Sequence, residues 1–368
     1  MGDAMLLIGE ALIDVVRRPG QAAQRVPGGC AMNVAVGLGR LGHSPLLATW
    51  VGDDADGRRL VEHCAASGVR LVPGSDKAVR TSVAEALIDD EGKATYSFDI
   101  DWQLPPIPAD LHPGLVHVGS IGGVLEPGGS AELAYVEAIR GQSFIAFDPN
   151  CRPALMGAPA QARAIIERYV AVADLVKASD EDLAWLYPEA GTDDGLLSCA
   201  RRWASSGPAV VVVTLGSRGA FAVTRDQEVV GATPGWRDPA TLPSPIESIT
   251  GVITRHNAGK LRPLSDTIGA GDSFMAGLIH GMVTSAESPT IPDTSHNVPT
   301  NPNGHAVRAM RREVAVRSVH DDRGEYGFCR TVLEDPTALS AILTQAAAMA
   351  AITVSRPGAD PPWAYELP

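Results

Sequence analysis

Short apolar runs recur along the first 225 residues. MLLIG (5–9), PLLATWVG (45–52), LVHVGS (115–120), FIAFD (144–148), DLVKAS (174–179) and AVVVVTLG (209–216) have the length and composition of buried strands. Amphipathic or Ala-rich stretches at 31–41, 57–67, 130–140, 160–172 and 181–187 fall between most of them and predict helices. Strand and helix in alternation imply βαβ units and a mostly parallel sheet covered on both faces, with ligands bound beyond the carboxyl ends of the strands. Those ends carry Asp148 and Asn150, Ser179, and the run from Thr214 to Gly219.

Two stretches break this rhythm. Residues 12–27 and 79–101 alternate polar and apolar positions, as antiparallel strands with one wet face do. They form either a small flap over the sheet end or an edge hairpin of the main sheet. Residues 226–265 show no apolar period. Residues 284–304 are rich in Pro, Ser, Thr and Asn, and the basic stretch 305–323 reads as a solvated surface helix. Periodicity returns in the Ala-rich helix predicted over 337–352.

The 368 residues suffice for one large α/β domain or two smaller ones, and 30 basic against 43 acidic residues give a net charge of −13. That balance argues against broad nucleic-acid or anionic-membrane binding, while leaving room for a small anion held by backbone dipoles. Cys30, Cys64, Cys151, Cys199 and Cys329 are scattered, form no C-x-x-C pair and read as reduced thiols. The apolar start is interrupted by Glu10 and Asp14, and no uncharged, wholly apolar run reaches membrane-span length, so a cytoplasmic protein is expected.

GLGRLG (37–42) matches a dinucleotide fingerprint in letters only, because it closes a helix where the fingerprint must follow a strand. Gly42 stands where a helix C-cap belongs. DDADG (53–57) lacks the remaining ligands of a calcium loop and reads as a turn capping the next helix. No P-loop pattern is present.

The chemistry concentrates in DTIGAGDSF (266–274). Gly269, Ala270 and Gly271 present bare backbone N–H groups at a helix entrance, an anion cradle reinforced by the helix dipole. A carboxylate in such a place repels a merely bound anion. It makes sense if Asp272 takes a proton from an alcohol while the amides stabilise charge on the group under attack. The bland alternative is a Gly-rich turn with Asp272 as N-cap.

DTIGAGDSFMAGLI resembles the C-terminal signature of the ribokinase-like (PfkB) carbohydrate kinases, and PGGCAMNVAVGLGRLG (27–42) is similar to their N-terminal one. IGEALIDVV, FDPNCRPALM, VKASDEDLAWL, VTLGSRGA and AAITVSRPGADPP correspond in order, so the likeness spans about residues 5–225, 262–283 and 337–362. It implies one kinase domain over 1–368: a three-layer α/β sandwich with a mostly parallel sheet, a lid from strands within 12–27 and 79–101, and long insertions at 226–265 and 284–336.

The resemblance also implies roles. Asp272 would be the general base and Gly269, Ala270 and Gly271 the anion hole. Asp14, Gly28, Gly29 and Asn33 would bind sugar, with Arg152 reaching a phosphate or sitting in a surface ion pair. Ser179, Thr214, Gly216, Gly219, Thr267, Gly269 and Gly271 would line the ATP site. Asp182 would take part in Mg²⁺ binding, although the family often has Asn-x-x-Glu where this chain has Ser179 and Asp182. Asp266 and Ile268, with carbonyls near 355–360, fall where some members bind a monovalent cation such as K⁺. Among the members the chain looks most like the bacterial fructokinases, with 2-keto-3-deoxygluconate kinases close behind. Cys30, where ribokinases usually carry Lys, counts against ribose. Trp102 and Phe98 on the flap are expected to face substrate or a second subunit, the lid being the expected dimer contact. A binding regulator that has lost catalysis remains the reading from another class.

Overall fold

The computed structural model of the chain describes residues 2–89, 94–231, 267–287 and 327–367. It opens with β1 (Gly2–Ile8), β2 (Leu12–Arg17), β3 (Gln24–Gly28) and α1 (Cys30–Arg40). Next come β4 (Leu46–Ala48), α2 (Ala55–Ala66), β5 (Arg70–Leu71), β6 (Val83–Ile88) and β7 (Ala94–Asp99). The middle holds β8 (Pro113–Gly119), α3 (Gly128–Ala138), β9 (Phe144–Asp148), α4 (Pro153–Met156), α5 (Pro159–Val172), β10 (Leu175–Ser179), α6 (Asp180–Leu186) and α7 (Asp193–Ala204). Then follow β11 (Val210–Thr214), β12 (Ala220–Thr224), β13 (Val229–Gly231), α8 (Ala270–Glu287), α9 (Gly327–Glu334) and α10 (Pro336–Val354).

The main sheet runs β13-β12-β11-β10-β9-β8-β1-β4-β5. The pairs from β11 through β5 are parallel, and β12 and β13 add antiparallel strands at one edge. Because successive strand side chains point to opposite faces, β1 sends Leu7 into one core and Leu6 and Ile8 into the other. The first core is closed by α1, α8 and α10, and the second by α3, α5, α6 and α7. This is the three-layer arrangement that the alternating pattern implies.

The flap is a separate sheet, ordered β3-β2-β6-β7, and not an edge of the main one. Its two hairpins are antiparallel as expected, but β2 and β6 that join them run parallel. That pairing is possible because a long crossover through α1, β4, α2 and β5 separates β2 from β6. Trp102 departs from expectation. It is 3 % exposed, and its indole Nε1 donates to the Gly122 carbonyl at 2.8 Å, so it anchors the lid's exit in the core. Phe98 stays on the lid, stacked on Tyr96.

Part of each long insertion proves regular. Val229–Gly231 pairs with β12, a strand too short for a visible period. Segment 284–336 contains the end of α8 and all of α9. The basic stretch 305–323 lies outside the described residues, as do 232–266 and the other residues between Glu287 and Gly327.

Helix α10 is 19 residues long with a mean hydropathy of 1.6, long and apolar enough to cross a membrane by composition alone. It packs instead on α8, so closely that a Cβ at Gly277 would lie 2.7 Å from Ala346 Cα. The two look-alike motifs resolve as structure. Gly39, inside GLGRLG, lies against the Ser67 carbonyl, and Gly42 follows α1 at φ 95°. Asp54 caps α2, accepting Gly57 N–H at 2.8 Å and Thr81 N–H at 2.8 Å.

Candidate active site

The residues of interest gather where the parallel strands end. Helix α8 begins at Ala270, directly after Gly269 in a left-handed conformation (φ 74°). A Cβ at Gly269 would collide with Ala359, so glycine is what lets the cradle lie against the 355–362 segment. Ala270 N–H reaches the Thr267 carbonyl at 3.3 Å, a long bond that closes the entering turn. Gly271 and Asp272 fall in the first turn, where helix geometry supplies no internal acceptor for their N–H groups.

Asp272 is not an N-cap. It sits inside the helix, buried, with Asn33 Nδ2 donating to Oδ2 at 2.7 Å and Asn150 Nδ2 approaching Oδ1 at 3.5 Å. One amide comes from helix α1 and the other from the turn after β9. Asn150 holds a positive φ of 34°, unusual for a non-glycine residue, and its N–H donates to Asp148 Oδ1 at 3.1 Å. Among the described residues Arg152 forms no ion pair. Its guanidinium folds back on that turn, donating to the Asn150 carbonyl, Asn150 Oδ1 and the Cys151 carbonyl at 2.8 to 3.1 Å.

At the entrance to α1, a Cβ at Gly28 would strike the Asp14 carboxylate, and one at Gly29 (φ 108°) would lie 2.5 Å from the Glu10 carbonyl. Bare backbone is therefore required at both positions, and Asp14 lies directly over the first. Glu10 braces the turn from beneath, its carboxylate accepting Cys30 N–H at 3.0 Å and Gly122 N–H at 3.2 Å. Burial pushes its pKa up despite these bonds. Burial, and then the Asp272 charge, also push the Cys30 thiol well above its ordinary value. Cys30 Sγ and one oxygen each of Asp148 and Asp272 lie within 4.8 Å of one another.

On the opposite side, Ser179 and Asp182 form a reciprocal capping box at the start of α6. Asp182 Oδ2 accepts Ser179 N–H at 2.8 Å and Oδ1 accepts Cys151 N–H at 2.6 Å, so each oxygen already serves the main chain. Thr214 stands opposite Ser179 in register. Gly216 (φ 57°) and Gly219 (φ 96°) shape the turn after β11, with Leu215 N–H bonded to the Gly219 carbonyl at 2.7 Å. Thr267 precedes the cradle. Ile268 is 49 % exposed, and Asp266 lies outside the described residues.

Two groups escape a reading of motifs, Glu10 and Lys177, while Asp148 stands out in the sequence only as a strand-end residue. Lys177 Nζ donates to Asp148 Oδ2 at 2.9 Å, with the side chains 3 % and 0 % exposed. A lysine at an inward strand position, flanked by valine and alanine, is the one signal that could have found the pair.

A helix entrance of bare amides, with a carboxylate fixed by two side-chain amides and a buried ammonium beside it, is equipment for moving a phosphoryl group to an alcohol. Residues 4–236 match the pfkB family carbohydrate kinase profile. The chain belongs to that family and is a phosphotransferase acting on a sugar hydroxyl. A fructokinase of Klebsiella pneumoniae is 31 % identical over 309 residues, 82 % of this chain and 88 % of the relative. One from Rhizobium leguminosarum bv. trifolii is 32 % identical over 288 residues, 75 % and 78 % of the two chains. Among solved structures, fructokinase from Vibrio cholerae O395 with fructose, ADP and calcium ion bound superposes with a TM-score of 0.65 at 22 % identity, covering 97 % and 94 %.

Proposed function

We infer that the protein transfers the γ-phosphoryl group of ATP to the primary hydroxyl of a hexose. D-fructose is the first choice, giving fructose 6-phosphate and ADP. The observation that carries this reading is the 2.7 Å bond from Asn33 to Asp272, which puts the base within reach of whatever the Gly28–Gly29 turn holds. Asp14 and Asn33 would take sugar hydroxyls in pairs, while the two glycines let the ring lie on backbone. Asp272 would accept the hydroxyl proton as the oxygen attacks phosphorus, with Gly269, Ala270 and Gly271 cradling the phosphoryl oxygens. The Thr214–Gly219 turn, Ser179 and the 355–362 segment would receive the nucleotide.

Mg²⁺ would arrive with ATP as part of the substrate. Hard oxygen donors suit it, so Asp182, whose oxygens each serve one main-chain amide, would meet it through remaining lone pairs or the ion's water. The residues present fit that accessory role. K⁺ bound by Asp266 and Ile268 would raise activity. Lid-to-lid dimerisation is supported by an apolar display of Val26, Leu87, Tyr96 and Phe98, 37 to 63 % exposed. A reducing, cytoplasmic setting suits five buried free cysteines.

The deciding experiment is ADP release with MgATP against fructose, 2-keto-3-deoxygluconate, ribose and adenosine. Turnover on fructose well above the others supports the assignment. Turnover only on another sugar moves the specificity, and binding of ATP without turnover on any sugar returns the protein to the regulator class.

A further inference from the structure

Lys177 is hard to explain as a structural residue. It projects from the central strand β10 into a dry position, where an ammonium is costly unless paired. Asp148 satisfies one of its three protons, and no second hydrogen bond to Nζ is found among the described residues. Burial pulls its pKa down, yet the combined attraction of Asp148, Asp182 and Asp272 outweighs burial and keeps the group charged.

Its position is informative. A Cβ built on Gly271 would lie 2.9 Å from Lys177 Nζ, so the ammonium sits against the backbone of the cradle itself. Any residue larger than glycine at 271 would displace it. The same glycine that frees the amide therefore admits the charge. Asp148 holds Nζ from below and is itself tied to Asn150, which turns toward the base. Base, cradle and ammonium form one connected set.

We propose that Lys177 is a catalytic residue of the phosphoryl transfer, its ammonium placed to contact the migrating phosphoryl oxygens, and that Asp148 is the residue positioning it. This rests on the kinase reading above. As the sugar oxygen forms its bond to the γ-phosphorus, its proton passes to Asp272. The bond from phosphorus to the β–γ bridging oxygen breaks, and ADP leaves with that electron pair. The transition state spreads negative charge over the three transferring oxygens, and Lys177 supplies a cation there without giving up its proton.

The test starts from wild-type enzyme with a sugar shown to be turned over. Lys177→Met is expected to lower kcat by about 10²-fold or more, the usual reach of one electrostatic donor, while the sugar dissociation constant measured by calorimetry stays within about threefold. Lys177→Arg, which keeps the charge, is expected to recover part of that loss. A folded Lys177→Met enzyme with kcat within about threefold of wild type would overturn the proposal, as would loss confined to sugar affinity. Should the Met variant fail to fold, ¹⁵N-lysine spectra of wild-type protein decide the matter. The Lys177 ammonium signal, assigned with the Arg variant, must shift when ADP and aluminium fluoride bind with sugar, and an unchanged signal refutes the contact. Wild type inactive on every sugar would instead defeat the kinase reading, which is a separate outcome.

Discussion

Asp272 is the residue on which the proposed chemistry turns, and its two amide partners are tests in themselves. Asp272→Asn keeps the shape and removes the base, so kcat should fall by about 10²–10⁴-fold with sugar affinity nearly unchanged, as steady-state assay and calorimetry would show. Asn33→Ala removes the 2.7 Å donor and the proposed sugar contact together. Both KM for sugar and kcat should worsen, and a change in only one would mean that Asn33 serves the sugar alone or the base alone. At this scale the sequence was legible where chemistry sits in consecutive letters, as in GAGD and PGG. It was silent on Lys177 and Glu10 and marked Asp148 only as a strand end, because a charged residue acquires meaning only once burial and partners separated by tens of positions are known. Trp102 misleads for the same reason: an aromatic at the end of a lid strand is written no differently from one that plugs the core.

The elements show why two suggestive motifs carry no chemistry. Gly39 is demanded by the close approach of α1 to the Ser67 carbonyl. Gly39→Val should therefore cost about 1–3 kcal/mol in urea unfolding, by overpacking, while the KM for ATP in the folded fraction stays the same. A large change in that KM would reopen a nucleotide role for GLGRLG. Asp54→Ala should cost about 1 kcal/mol through the lost cap, with no calcium dependence before or after. Six strands of the main sheet and five of the helices between them were readable because both cores impose a period, whereas β5, β12, α4 and α7 were not. The parallel join of β2 to β6 was not, since alternation marks a strand and says nothing of its partner's direction. Strand β13 and helix α9 escaped because three and eight residues set into polar surroundings leave too little repetition to detect.

For the molecule as a whole, two expectations concern solution behaviour. If the lid faces pair, Leu87→Asp with Tyr96→Asp should convert a dimer to a monomer in light scattering while ATP affinity survives. A wild type that is monomeric at all concentrations would dispose of that interface. The second concerns acid. Burial, aided by the Lys177 charge, holds the pKa of His117 down to about 3 in the folded protein, against about 6.5 unfolded. Between those values the unfolded chain carries the extra proton, so stability is lost as pH falls from 6.5 toward 3. The loss from this one group is roughly 1.4 kcal/mol per pH unit at most. Urea midpoints measured across that range should fall less steeply for His117→Leu than for wild type, and parallel slopes would show that His117 titrates normally.

The indole of Trp102, tied to the Gly122 carbonyl at the root of the flap, has an optical corollary. Should the flap swing, a fluorophore locked in a dry socket at its root would report how much water enters. With the other five tryptophans replaced, emission from this ring would record the flap's opening rate directly. It would then be possible to ask whether turnover keeps time with the chemistry or with the hinge.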